Sequence, residues 1–144
     1  KCAQLNVFGH RSQIEHLGSS VNFVKANFLH QNIYDSYDMI ISNPPYIPAW
    51  RLNKVQPSVL MHEPSLALFD RANINPSGLS FHEKILSNAR SLLKNSLYCG
   101  PKIVLEFEAP YQAKRLSRLA LSYGFSKWKF MADQFQVKRF FFIY

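Results

Sequence analysis

Glycine is scarce in this chain, acidic residues are few, and no long apolar run occurs. The 5 glycines, Gly9, Gly18, Gly78, Gly100 and Gly124, stand too far apart for any G-x-G turn of the kind that cradles a nucleotide. No apolar stretch reaches the roughly 18 residues that a spanning helix needs, so no membrane is expected as a partner. The chain begins at Lys1 without the charged start, apolar middle and small-residue site of a secretory leader, and further sequence is expected upstream. Cys2 and Cys99 form no C-x-x-C pair and no zinc spacing, which suits a reduced protein. His62-Glu63 and His82-Glu83 lack the second histidine of H-E-x-x-H, so no metal site is expected.

Apolar and aromatic side chains are plentiful. They make up 47% and 15% of the 144 residues, with 12 Phe and 7 Tyr, enough for a globular core and too many for disorder. One domain over residues 1–144, or a piece of a larger one, fits this length. The net charge of +8 is concentrated late: Lys114, Arg115, Arg118, Lys127, Lys129, Lys138 and Arg139 face only Asp133 after residue 110. Such a region is either a surface for RNA, the ribosome or another anionic partner, or a solvated basic face. A pI near 9.7 fits a mitochondrial matrix protein, in a eukaryote, as well as it fits a bacterial cytoplasm.

Along the chain, residues 1–9 suggest the end of a helix, 21–25 ("VNFVK") alternate like a strand, and 37–42 ("YDMIIS") read as a buried strand. Residues 44–76 hold six of the 8 prolines and read as a long functional loop. Ser80 and Glu83 have the spacing of a capping box, opening a helix whose stripe is Phe81, Ile85, Ala89 and Leu92-Leu93. After Gly100-Pro101 comes a strand at 102–107, then a helix over 111–123 stopped by Gly124, then strands near 126–131 and 137–144. The pattern predicts an α/β fold with a mostly parallel sheet, a C-terminal antiparallel strand pair, and the last strand in the interior.

The chemistry-bearing stretch is "IISNPPYIPAW", residues 40–50, where a strand ends in Asn43-Pro44-Pro45-Tyr46. Ligands of open α/β sheets bind beyond the carboxyl ends of strands. Two prolines remove N–H donors and keep carbonyls, so this turn accepts hydrogen bonds and hardly donates. The Asn43 side-chain oxygen and the Pro44 carbonyl suit the two hydrogens of a planar –NH2 group, and Tyr46 offers it a flat wall. A grip of that kind fixes an amide or aromatic-amine nitrogen as a nucleophile. Each hydrogen bond gives only about 0.5–1.5 kcal/mol net, so positioning contributes more than polarity. The bland alternative is a rigid proline turn after a strand.

"SNPPY" after an apolar strand resembles the catalytic motif of class I, S-adenosylmethionine-dependent amino-methyltransferases. Its successors "HEPSLALFD", "GLSFHEKIL", "IVLEFEAPYQ" and "DQFQVKRFFFI" resemble, in order, the release-factor glutamine methyltransferases (the HemK/PrmC family) from about residue 21 to the end. The resemblance implies a Rossmann-like methyltransferase fold and N5-methylation of the glutamine in the Gly-Gly-Gln loop of a peptide-chain release factor. It implies catalytic roles for Asn43, Pro44, Pro45 and Tyr46, and substrate contacts from Asn43, Pro44, Tyr46 and Glu63. Asn27 and Phe28 fall where the family approaches the adenine of the donor with Asp, and Asn43 adjoins the donor as well. Arg139 matches a basic residue before the final strand. Glu63 and Arg139 serve equally well as members of structural ion pairs.

Glu108 stands where the family usually has Gly, and the family's Gly-rich donor turn has no counterpart here. By resemblance, the first two strands would lie between 21–25 and 37–42 in the sheet. The expectation is therefore a C-terminal, substrate-side part of a catalytic domain, with its S-adenosylmethionine site incomplete. Such a chain would fold poorly and be inactive alone, since typical stabilities are only about 5–15 kcal/mol. Two other functions remain open: a nucleic-acid amino-methyltransferase acting on adenine or cytosine, and a non-catalytic remnant.

Overall fold

The computed structural model describes residues 2–30, 36–70, 77–95, 98–108 and 110–144. Two short helices come first, α1 (Cys2–Gly9) and α2 (Arg11–His16), and neither buries a residue. Strand β1 (Ile40–Ser42) leads into the proline turn, and β2 (Ile47–Pro48) follows it. A 3-10 turn (Ala49–Lys54) and two short helices, α3 (Pro57–His62) and α4 (Ser65–Leu68), then lead to β3 (Phe69–Asp70). The remainder is α5 (Ser80–Leu92), β4 (Ile103–Glu106), α6 (Ala113–Ser122), β5 (Trp128–Ala132) and β6 (Lys138–Ile143).

The main sheet has strand order β1-β4-β6-β5, with β1 parallel to β4 and β6 antiparallel to both its neighbours. Three strands thus run one way and β6 runs against them. The antiparallel closing pair and the interior position of the last strand agree with the sequence pattern. A separate parallel pair joins β2 to β3, Ile47 opposite Phe69 and Pro48 opposite Asp70.

Period-2 alternation decides which face is covered. Ile103 and Leu105 of β4, with Phe141 and Ile143 of β6, are fully buried against Leu79, Ile85, Leu86 and Ala89 of the α5 region and Leu116 and Ala120 of α6. Phe130 stacks on Phe141 at 4.8 Å and tilts on Phe107 at 5.2 Å. The opposite face carries Ile41, Val104, Phe142 and Lys129 in register, and Ile41 is 72% exposed.

Four expectations need correction. The strand expected at 37–42 as a buried one is shorter and only half-buried, on one face; Tyr37 bridges Leu93 instead of joining β1. Residues 21–25 form no strand and lie exposed, because among the described residues no neighbouring strand offers them a ladder. The 44–70 stretch, expected as one long ordered loop, is instead a chain of short helices and strands, and 71–76 lie outside the described residues. The Ser80–Glu83 capping box does not form. Asp70 Oδ2 accepts from the Ser80 backbone N–H at 2.8 Å and caps α5 from β3, while the Ser80 hydroxyl is buried with no hydrogen-bond partner found. A carboxylate delivered by tertiary packing outcompetes a local hydroxyl at a helix N-terminus.

Candidate functional site

β1 delivers Asn43 to the carboxyl edge of the sheet, where the chain turns at Pro44 and Pro45. Asn43 is exposed and Pro44 buried, so the side chain faces outward from a turn anchored by the proline ring. Asn43, Pro44, Tyr46 and Glu63 line one cavity of about 310 Å3. All four substrate-side candidates are brought together. Asn27 and Phe28 are not among the residues lining it: Asn27 is exposed, and Phe28 packs against the hydrophobic core.

A turn with two consecutive prolines has few hydrogen bonds of its own, and neighbouring side chains hold it. The Tyr46 hydroxyl donates to Glu106 Oε1 at 3.0 Å. Burial of the ring, with the Glu106 carboxylate beside it, pushes the phenol up to about 12, so it remains a neutral donor. Glu106 is placed there because alternation along β4 points it away from the core side of the sheet. The Gln112 side chain is fully buried and donates to the carbonyls of Tyr46 at 3.0 Å and Ser77 at 2.8 Å. Its own oxygen accepts from the Glu108 N–H at 2.8 Å. One amide therefore ties three chain segments behind the turn.

Gly78 completes that contact. At φ +74° it lies so close that an added Cβ would meet the Tyr46 carbonyl oxygen at 2.2 Å. Below it, His82 donates from Nε2 to the Glu106 carbonyl at 2.7 Å, and its buried Nδ1 has no hydrogen-bond partner found. Burial lowers His82 to about 4, leaving the ring neutral.

A second cavity of about 310 Å3 shares Tyr46, Ile47 and Leu68 with the first. Its rim carries Arg51, Lys54, Arg139 and Glu108. Arg51 pairs with Glu108 and lies over the rings of Trp50 and Tyr111, 5.8 and 5.3 Å from their centroids. Arg139 is the second residue of β6 and sits 3.5 Å from Asp133. Glu108, which departs from the expected Gly, is thus engaged by Arg51 and by the Gln112 amide. Among the described residues no group of three or more His, Cys, Asp or Glu is arranged to hold a metal, and no helix is long and apolar enough to cross a membrane.

Gln112, Glu106, Gly78, Arg51 and Asp70 were not singled out from the sequence. Glu106, a charge inside an apolar strand, carried a visible signal. Gln112 closes the quoted stretch 103–112, but its role behind the turn had no local signal, since the carbonyls it holds there are 35 and 66 residues away.

Fold and site together define an α/β chain with an acceptor-rich turn at the carboxyl end of a parallel strand. No protein-family model matches the chain. It is 35% identical over 109 residues to the release factor glutamine methyltransferase of Fusobacterium nucleatum, covering 74% of this chain and 28% of that protein. It is 31% identical over 106 residues to the bifunctional methyltransferase of Rickettsia prowazekii, covering 74% and 19%. The release factor glutamine methyltransferase of Chlorobaculum tepidum is 31% identical over 124 residues, covering 83% and 39%. The chain belongs to the release factor glutamine methyltransferase family, and spans well under half the length of these relatives.

Proposed function

We propose that this chain is the substrate-side, C-terminal part of a Rossmann-like catalytic domain that methylates the side-chain amide of a glutamine, the glutamine of a release factor's Gly-Gly-Gln loop, from S-adenosylmethionine. The observation that carries it is the cavity shared by Asn43, Pro44, Tyr46 and Glu63 beyond β1. Asn43 Oδ1 and the Pro44 carbonyl take the two amide hydrogens. Tyr46, locked by Glu106 and Gln112, walls the plane of the amide, and Glu63 borders the entrance. Holding both N–H bonds orients the nitrogen and leaves its lone pair outside the grip.

The described residues fit S-adenosylmethionine only in part. Exposed Asn43 and Asn27 carry amide oxygens suited to the donor, but Asn27 and Phe28 do not line the Asn43 cavity. The donor would supply an electrophilic methyl carbon. The same reading assigns an anionic neighbour, such as ribosomal RNA, to the exposed cations Lys114, Arg115 and Arg118 of α6.

Methyl transfer by a full-length protein containing this segment tests the reading, with a release factor, its glutamine-to-alanine variant and DNA as acceptors. Transfer to the release factor that needs its glutamine, and that falls about a hundredfold with Asn43→Ala, is expected. Transfer to DNA alone would assign the nucleic-acid reading, and no transfer to either acceptor the remnant.

A further inference from the structure

Tyr46, Ile47 and Leu68 form a partition with a cavity on each side. The Asn43 side is lined by acceptors and by Glu63. The other side is rimmed by three cations and one carboxylate. Two of the cations come from the 3-10 turn after β2 and the third from the start of β6. Glu108 is consumed by Arg51, a guanidinium already ordered over Trp50 and Tyr111. Lys54 is exposed and forms no ion pair within 4 Å among the described residues, and Arg139 keeps only a long 3.5 Å contact with Asp133. The rim therefore has positive charge to spare. Its floor is apolar, with Val55 and Val59 half-buried beneath it.

We infer that this second cavity seats a carboxylate-bearing residue of the polypeptide that presents the target glutamine. The inference rests on the proposed glutamine reading and adds the neighbour that the site selects. Charge complementarity selects an anion. The apolar floor, with the Glu108 carboxylate repelling a polyanion, selects a side chain with a short aliphatic stem over a phosphate backbone. Two adjoining cavities divided by one side-chain wall suit two nearby residues of one extended segment.

The test uses a full-length protein containing this segment and fluorescent Gly-Gly-Gln peptides flanked by Glu, by Gln or by Lys, with anisotropy read at low and high salt. The Glu-flanked peptide is expected to bind about three- to tenfold tighter than the Gln-flanked one, with the advantage shrinking in high salt. Lys54→Glu, an exposed position, should abolish that advantage and turn the preference towards the Lys-flanked peptide, with the melting temperature unchanged as the check on folding. Glutamine-dependent binding that is indifferent to the flanking charge would overturn the inference and leave the glutamine reading intact. Acid-dependent binding that survives replacement of the peptide's glutamine by alanine would support the subsite and sink the glutamine reading. No binding of any peptide would overturn both. Displacement of the peptide by a single-stranded oligonucleotide, lost in Lys54→Glu, would assign the cavity to nucleic acid and overturn the inference.

Discussion

Tyr46 and His82 sit on either side of Glu106, one on its carboxylate and one on its carbonyl. Tyr46→Phe removes a single hydroxyl, and a stability loss of about 0.5–1.5 kcal/mol is expected in urea melts. His82 gives a pH signature. Its unfolded imidazole titrates at about 6.5, whereas burial holds it at about 4 in the fold, against the Glu106 carbonyl hydrogen bond and the charge of Asp70. Between those values the unfolded chain binds more protons. Stability should therefore fall as pH drops from about 6.5 towards 4 and level off below, by about 3 kcal/mol in all. His82→Gln, which keeps a donor and cannot titrate, should flatten that slope between pH 7 and 5; an unchanged slope would assign it to other groups.

At the scale of elements, the proline turn depends on what is packed behind it. Gly78→Ala forces a Cβ onto the Tyr46 carbonyl at a positive φ, and about 1–3 kcal/mol of destabilisation is expected by thermal melting. Asp70→Ala should cost about 0.5–2 kcal/mol by uncapping α5, while Glu83→Ala should cost much less, since its contact is a 3.5 Å one with the Tyr123 hydroxyl. Equal losses for the two would restore the local capping box. Helices and the closing strands were legible because their periodicities are local: the stripe of α5, the Gly124 stop after α6, the apolar run of β6. The turn was legible because two prolines directly after an apolar run mark where a strand stops. Its supports were not, because Gln112, Gly78 and Asp70 act through contacts that no spacing encodes. The supposed strand at 21–25 failed for the same reason, as alternation states which face is apolar and not whether a neighbour exists to pair with.

For the whole molecule, the sheet is covered by α5 and α6 on one face, and β1 is an end strand with Ile41 exposed on the other. The two leading helices bury nothing, and Leu5, Phe8 and Leu17 are all more than 60% exposed. Under the proposed function the acceptor side is the more complete of the two in this chain, and binding should divide accordingly. Titration calorimetry is expected to show no micromolar affinity for S-adenosylmethionine by the 144-residue chain. Micromolar binding would refute the partial fit of the donor to these residues.

Three of the prolines around the candidate site, Pro44, Pro45 and Pro48, have no amide proton. Any method that detects backbone amides, whether hydrogen exchange or proton–nitrogen correlation spectra, passes over these positions. Asn43, Tyr46 and Ile47 are the reporters that remain, and the Asn43 and Gln112 side-chain NH2 resonances add the view from each side of the turn. A ligand gripped by carbonyls would register first on the carbonyl carbons, so carbon-detected spectra are the ones that would show it arriving.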